Sequence, residues 1–458
     1  MSTVIWSVPG GGPVTARRPA GPPLARPDRP PWTVLTACYA VFAGYAAMVA
    51  LFSGPGVDRI WALWAVAGYS IAVIASRRRR AGQTAALLAS GAGAVAGPLI
   101  WLAWRAPATP DVRVVARSAV LLLQHGTPYL AVGHLASAIA YDPYLPAMTV
   151  FGLPGALHLA GMAGDPRVWL CMVTGLLFVL AFRAAGRPGA AGWAVFAVAS
   201  PVVAFPLAVG VTDPPVLALI CLALALLSRP RGGRLPGGPV WAAALVLGVA
   251  CAMKATAWPA LPVIAAMLAV RDGARTAVCF AAATAATALG LSAALAPGAV
   301  AHPAALVQNT VLFPLGLTHV KTPAASPLPG HLLATLGPAG RLGAIALLVA
   351  AGLAVTASLL IRPPADPAAA AWRLAVALTL LFTLSPATRF GYFTYPIGLL
   401  GWLVIVRTGL RGPVPAAGAP AGGGPPEPVS VPAGPLALVR RGRRWTAARG
   451  RPRCPGWR

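Results

Sequence analysis

Runs of about 20 apolar residues, each long enough to cross a bilayer as a helix, recur from residue 33 to residue 407 of this 458-residue chain. Nothing else in the sequence restricts the fold so strongly. Runs of this length read as membrane-spanning helices. The chain is 58% hydrophobic and 10% charged, against roughly 25% charged in a soluble domain. An all-α polytopic membrane protein is therefore expected. Its spans fall near 33–53, 60–76, 84–104, 167–183, 189–209, 214–228, 238–255, 257–270, 275–296, 341–361, 370–386 and 391–407. Pro206, Pro259 and Pro262 predict kinks or breaks within them.

Arginines give the orientation, because basic residues collect in cytoplasmic loops. Arg17, Arg18, Arg26 and Arg29 precede the first span, and Arg77–Arg80 follow the second. Later junctions carry Arg183 and Arg187, then Arg229, Arg231 and Arg234, then Arg271 and Arg275, Arg362 and Arg373, and Arg407 and Arg411. Every second junction is basic, so twelve crossings with both termini in the cytoplasm are expected. The opposite, outer face then receives long loops near 105–166 and 297–340. Tyr144–Met162 is apolar enough for a thirteenth crossing, but that would turn Arg183 and Arg187 outward. With Pro146 and Pro154 inside it, the segment reads as an interfacial or re-entrant helix. Residues 1–32 and 408–458 are Pro-, Gly- and Arg-rich and read as disordered cytoplasmic tails around a transmembrane domain at 33–407. No apolar core follows Met1, so no signal peptide is expected.

The net charge of +27 follows from these topology signals and does not call for a nucleic-acid partner. Six scattered cysteines, without CxxC or Cys/His spacing, support neither a disulfide framework nor a zinc site. No DxD motif, Walker loop or GxGxxG turn in a strand–helix setting is present, so neither a metal, another cofactor nor a nucleotide-sugar donor is expected.

Nine carboxylates stand against 36 basic residues, and each is costly in an apolar chain unless it lies in a loop or a polar site. The expected topology gathers Asp111, Asp213, Lys254 and Arg389 at the outer face, with His319 and Lys321 on the 297–340 loop. The only two lysines, Lys254 and Lys321, thus fall where positive charge is normally scarce. Lys254 lies among apolar residues and needs a partner, for which an anionic lipid headgroup is suited. Singly, each of these groups also fits a solvated anchor at a membrane boundary. Together they meet the needs of sugar transfer from a polyprenyl phosphate. A carboxylate takes the proton of the attacking hydroxyl, and cations stabilise the departing phosphate. Tyr129, Tyr141 and Tyr144 are candidates to stack on sugar faces.

The arrangement resembles the GT-C superfamily of polyprenyl-phosphate-sugar-dependent glycosyltransferases, and most of all glycosyltransferase family 87, the actinobacterial mannosyltransferase-like membrane proteins. The resemblance rests on Asp111 in a large first outer loop, Gly126-Thr-Pro-Tyr129 and Tyr141-Asp-Pro-Tyr-Leu-Pro146. Further on it rests on Gly210-Val-Thr-Asp213, Gly248-Val-Ala-Cys-Ala-Met-Lys254 and Arg389-Phe-Gly-Tyr392. It implies a hexosyltransferase of the outer face with Asp111 as base. The sugar would be mannose or another hexose or pentose, and the acceptor a cell-envelope lipid, glycan or protein. Asp142, Asp213, Lys254 and Arg389 would bind substrate. The chain departs from the family pattern in having two extra spans before the aspartate, and in Tyr141-Asp142-Pro143 where Tyr-Pro-Pro is usual. The second departure leaves Asp142 as an alternative base. A lipid or small-molecule transporter or flippase is the competing reading, since Pro-broken helices and an intramembrane lysine also suit a midplane transport site.

Overall fold

A computed structural model describes residues 32–78, 80–105, 108–228 and 237–407. The expected tails at 1–31 and 408–458 lie outside the described residues. The described chain is helical, with one isolated bridge between Ala325 and Thr388 as its only β pairing.

Eight helices are long and apolar enough to cross a membrane, and nine if one sharply bent pair counts as a span. They are α1 (Trp32–Phe52), α2 (Val57–Ser76), α3 (Gly82–Arg105), α5 (Pro166–Ala184), α11 (Ala274–Leu295), α13 (Pro338–Ile361), α14 (Pro367–Leu384) and α15 (Thr394–Arg407, a span from Phe390). The bent pair is α6 (Ala190–Val198) and α7 (Pro201–Val209), which meet at 65°. Three shorter apolar helices, α8 (Asp213–Leu226), α9 (Gly238–Met253) and α10 (Ala260–Arg271), occupy the remaining expected spans. Between α3 and α5 lies α4 (Pro110–His125), and before α13 lies the short α12 (Pro329–Ala334). Tyr144–Met162 is not one continuous helix. It breaks into the 3-10 turn Pro146–Gly152, one helical turn at Leu153–Ala156 and a second 3-10 turn from Gly161. Pro146 and Pro154 each start a turn and lack the N–H that would extend one.

Proline begins many helices, including α4, α5, α7, α12, α13 and α14, where its missing N–H costs nothing. Helix α8 is apolar all round and buried on every face, which makes it the axis of the bundle. It packs against α5, α9 and α15. By contrast, α13 buries only Ala344 and Leu359 and presents its other side chains to the surroundings. The bend between α6 and α7 frees the Ala199 carbonyl, and the buried Tyr69 hydroxyl donates to it at 2.6 Å. Such substitutes for lost helical bonds allow proline breaks within lipid.

Most carboxylates are accounted for by these elements. Asp165 caps α5 through the Arg167 N–H at 2.8 Å, and Asp366 caps α14 through the Ala368 and Ala369 N–H groups. Asp272 pairs with Arg271 at 2.8 Å, and Asp58 lies in the first turn of α2. Three described carboxylates remain, Asp111, Asp142 and Asp213, and all lie near one end of the bundle.

Candidate active site

Helix α4 is amphipathic. It buries Val112, Val114, Val115, Ser118 and Ala119 and places Asp111 in its first turn. The Thr109 hydroxyl donates to the Val209 carbonyl at 2.9 Å, tying the start of α4 to the end of α7. Gly210 follows with φ +87°, and a Cβ there would stand 2.2 Å from Val112 Cγ2 and 2.8 Å from Arg167 Cγ. Only glycine supplies both the left-handed turn and the space. Thr212 and Asp213 then open α8, and Lys254 ends α9 in extended conformation.

The Lys254 Nζ lies 2.5 Å from Asp213 Oδ1 and 3.4 Å from the Thr212 hydroxyl. Its counterion is thus Asp213, where the sequence suggested a lipid headgroup. The rings of Tyr144 and Tyr392 flank the ammonium at 5.4 and 5.6 Å, within cation–π range. Asp213 is 1% exposed and the Lys254 side chain 10%, so this pair is sealed. The Tyr395 hydroxyl shares a 2.8 Å hydrogen bond with Thr256 beneath it.

A second pair is open. Arg389 Nη1 lies 3.5 Å from Asp111 Oδ2, with side chains 36% and 21% exposed. Burial opposes the Arg389 charge, but Asp111, Tyr392, Tyr144 and Asp213 outweigh it and hold the guanidinium above its ordinary range. Burial lifts the Tyr144 phenol well above its usual range, and Asp111 adds to the effect, so it stays a neutral hydrogen-bond donor beside the open pair. Asp111, Asp213, Lys254, Arg389 and Tyr144 thus converge from α4, α8, the ends of α9 and α14, and the first long loop.

Asp142 belongs to a different environment. It is 2% exposed, and both carboxylate oxygens are engaged. The Ser118 hydroxyl donates to Oδ2 at 2.5 Å and the Tyr144 N–H to Oδ1 at 3.0 Å. Asn309 Oδ1 accepts the Asp142 N–H at 2.7 Å. Arg117 reaches the Ile139 and Ala140 carbonyls close by. Burial raises the Asp142 carboxyl to about 6, although Ser118, the Tyr144 N–H and Arg117 pull the other way. A carboxylate enclosed in this way holds Tyr144 in place and has no room for a reacting hydroxyl.

Tyr129 and Tyr141 are likewise used in packing. The Tyr129 hydroxyl donates to the Tyr144 carbonyl at 2.8 Å, and the buried Tyr141 ring stacks on Phe313 at 4.1 Å. Neither presents a free face for a sugar, whereas Tyr144 lies at the site. His319 and Lys321 are exposed on the loop after Phe313 and have no hydrogen-bond or ion-pair partner among the described residues. Tyr395 and Thr256 carried no signal in the sequence, and Tyr392 and Thr212 stood there only as members of the motifs around Arg389 and Asp213. Tyr392 sits three residues from Arg389, and Tyr395 one helical turn beyond, a spacing that shares a face. No three His, Cys, Asp or Glu side chains among the described residues converge as a metal site would require.

Comparison of the chain with protein-family models, with curated proteins and with solved structures finds no match in any of the three.

Proposed function

We propose that the chain is a membrane glycosyltransferase of the GT-C type, moving a sugar from a polyprenyl phosphate to a cell-envelope acceptor. One observation carries the reading: an open Asp111–Arg389 pair stands beside a sealed, self-neutralised Lys254–Asp213 pair. The acceptor hydroxyl attacks the anomeric carbon and its proton passes to Asp111. The bond from that carbon to the lipid phosphate oxygen breaks, and the oxygen leaves with the electron pair. Arg389 faces that developing charge and Tyr144 adds a neutral donor. Arg389 holds Asp111 by one long contact rather than a bidentate fork, so a phosphate can share it without leaving Asp111 unsolvated. Asp213 and Lys254 add no net charge and fix the wall on which Tyr144 and Tyr392 rest.

Twelve crossings suit the same reading. The end of α3, the start of α8, the end of α9 and the start of α15 must share one face for the four charges to meet. That requires even numbers of crossings between them, and a crossing at 144–162 would break the parity. The arginine pattern assigns this face to the outside. The bend at α6–α7 would also serve a transporter, but the ionisable groups gather at helix ends rather than at the midplane.

The test is turnover of a radiolabelled polyprenyl-phosphate hexose or pentose by the purified chain in liposomes with an envelope-lipid extract. The proposal requires release of polyprenyl phosphate together with a labelled acceptor. Movement of intact donor across the bilayer, without cleavage, would favour the transporter.

A further inference from the structure

Arg389 lies in an extended peptide, φ −129° and ψ 143°, just before a 3-10 turn, and the only helical hydrogen bond it makes is from the Tyr392 N–H to its carbonyl at 3.1 Å. A segment more than 60 residues away in sequence holds the peptide groups on either side of it. The Ser326 N–H donates to the Thr388 carbonyl and the Thr388 N–H to the Ala324 carbonyl, both at 2.9 Å. On the other side of Arg389, the Phe390 N–H donates to the Ser326 hydroxyl at 3.1 Å. One serine thus grips the peptide groups before and after the arginine. The grip is itself anchored. A ring nitrogen of His331 lies 2.9 Å from the Pro386 carbonyl. Gly330 lies so close to the end of α14 that a Cβ would come 2.1 Å from the Leu384 carbonyl oxygen. The buried Thr388 hydroxyl donates to Phe382 at 2.7 Å.

We infer that Ser326 is a positioning residue, which aims Arg389 at the lipid phosphate by clamping the backbone on both sides of it. The inference rests on the function proposed above. Ser326 touches no reacting group, so its effect passes only through Arg389. Ser326→Ala keeps the bond from its N–H and loses the hydroxyl acceptor. The loss of one hydrogen bond predicts a fall in donor kcat/KM of roughly 3- to 10-fold, and Ser326→Thr restores the acceptor and the rate. In an Arg389→Gln background the same Ser326→Ala change has no further effect, because there is no guanidinium left to aim. Hydrogen exchange adds a readout independent of turnover. The peptide covering 386–392 exchanges faster in Ser326→Ala and at the wild-type rate in Ser326→Thr.

Equal losses from Ser326→Ala with and without Arg389 would overturn the inference and make the serine a general structural element. Unchanged kcat/KM in Ser326→Ala would overturn it as well. A wild-type protein that never cleaves the donor would instead defeat the proposed function, and with it the aim assigned to the clamp.

Discussion

Replacing Asp142 by asparagine separates the two carboxylates that the sequence leaves in competition for the role of base. Asparagine retains an acceptor for the Tyr144 N–H, and its amide can donate to the Ser118 hydroxyl, so the clamp on Tyr144 survives. What it removes is a titration. The Asp142 carboxyl is raised by burial from 3.8 to about 6. The folded protein therefore binds this proton more tightly than the unfolded chain. That contribution to stability is complete below about 3.8 and is lost as pH rises through about 6. Two units at 1.36 kcal/mol each make it about 3 kcal/mol. Thermal unfolding in detergent between pH 4 and pH 7.5 reads the effect as a difference between wild type and Asp142→Asn. The wild type loses stability relative to the variant across that window, by up to about 3 kcal/mol, while donor turnover changes less than about threefold. Parallel pH curves would refute the enclosed titration. Abolished turnover in a folded Asp142→Asn protein would return the base to Asp142.

Other outcomes follow from the same geometry. Lys254→Met leaves Asp213 buried without a counterion and should cost about 3–5 kcal/mol of thermal stability. The double change with Asp213→Leu should recover most of it, and a single variant as stable as wild type would show that the pair is not sealed. Gly210→Ala places a Cβ against Val112 and Arg167 at a left-handed position. It should lower stability by roughly 1–3 kcal/mol and shift Asp111 enough to reduce turnover, so normal values for both would contradict that contact. Cysteine labelling from outside intact cells should reach positions 111, 319 and 389 but neither terminus. Cytoplasmic labelling of position 111 would remove the basis for outer-face chemistry.

Hydropathy located the helices well, because a run of apolar residues reports burial in lipid one segment at a time. The shortness of α8, α9 and α10 follows from Asp213 at one boundary, Lys254 at another and Pro259 before the third, all of which are visible in the sequence. The gathering of Asp111, Asp213, Lys254 and Arg389 at one end was legible from the arginine alternation, which counts crossings. Partner choice was not. That Lys254 answers Asp213, 41 residues away, depends on how α8 and α9 lie side by side. Tyr129 and Tyr141 looked like sugar platforms because an aromatic ring in a polar loop carries the same letter whether it stacks on a sugar or on Phe313. Tyr144–Met162 misled through composition, since its apolar residues pack as short turns on α4. There Gly152 allows an approach that would bring a Cβ within 2.3 Å of the Val115 carbonyl oxygen. The grip of Ser326 on Arg389 joins distant loops through backbone groups, which every residue type has, so no pattern of side chains announces it.

In the proposed reaction Asp111 accepts the proton of the acceptor hydroxyl. The most direct test of that role is the rate of polyprenyl-phosphate release by purified Asp111→Asn protein at saturating donor, with donor affinity measured in parallel. Asparagine preserves the shape of the side chain and its contact with Arg389 but cannot take the proton. Insertion and donor binding stay near normal, and turnover falls by about 10²- to 10⁴-fold. Turnover within a fewfold of wild type would contradict it.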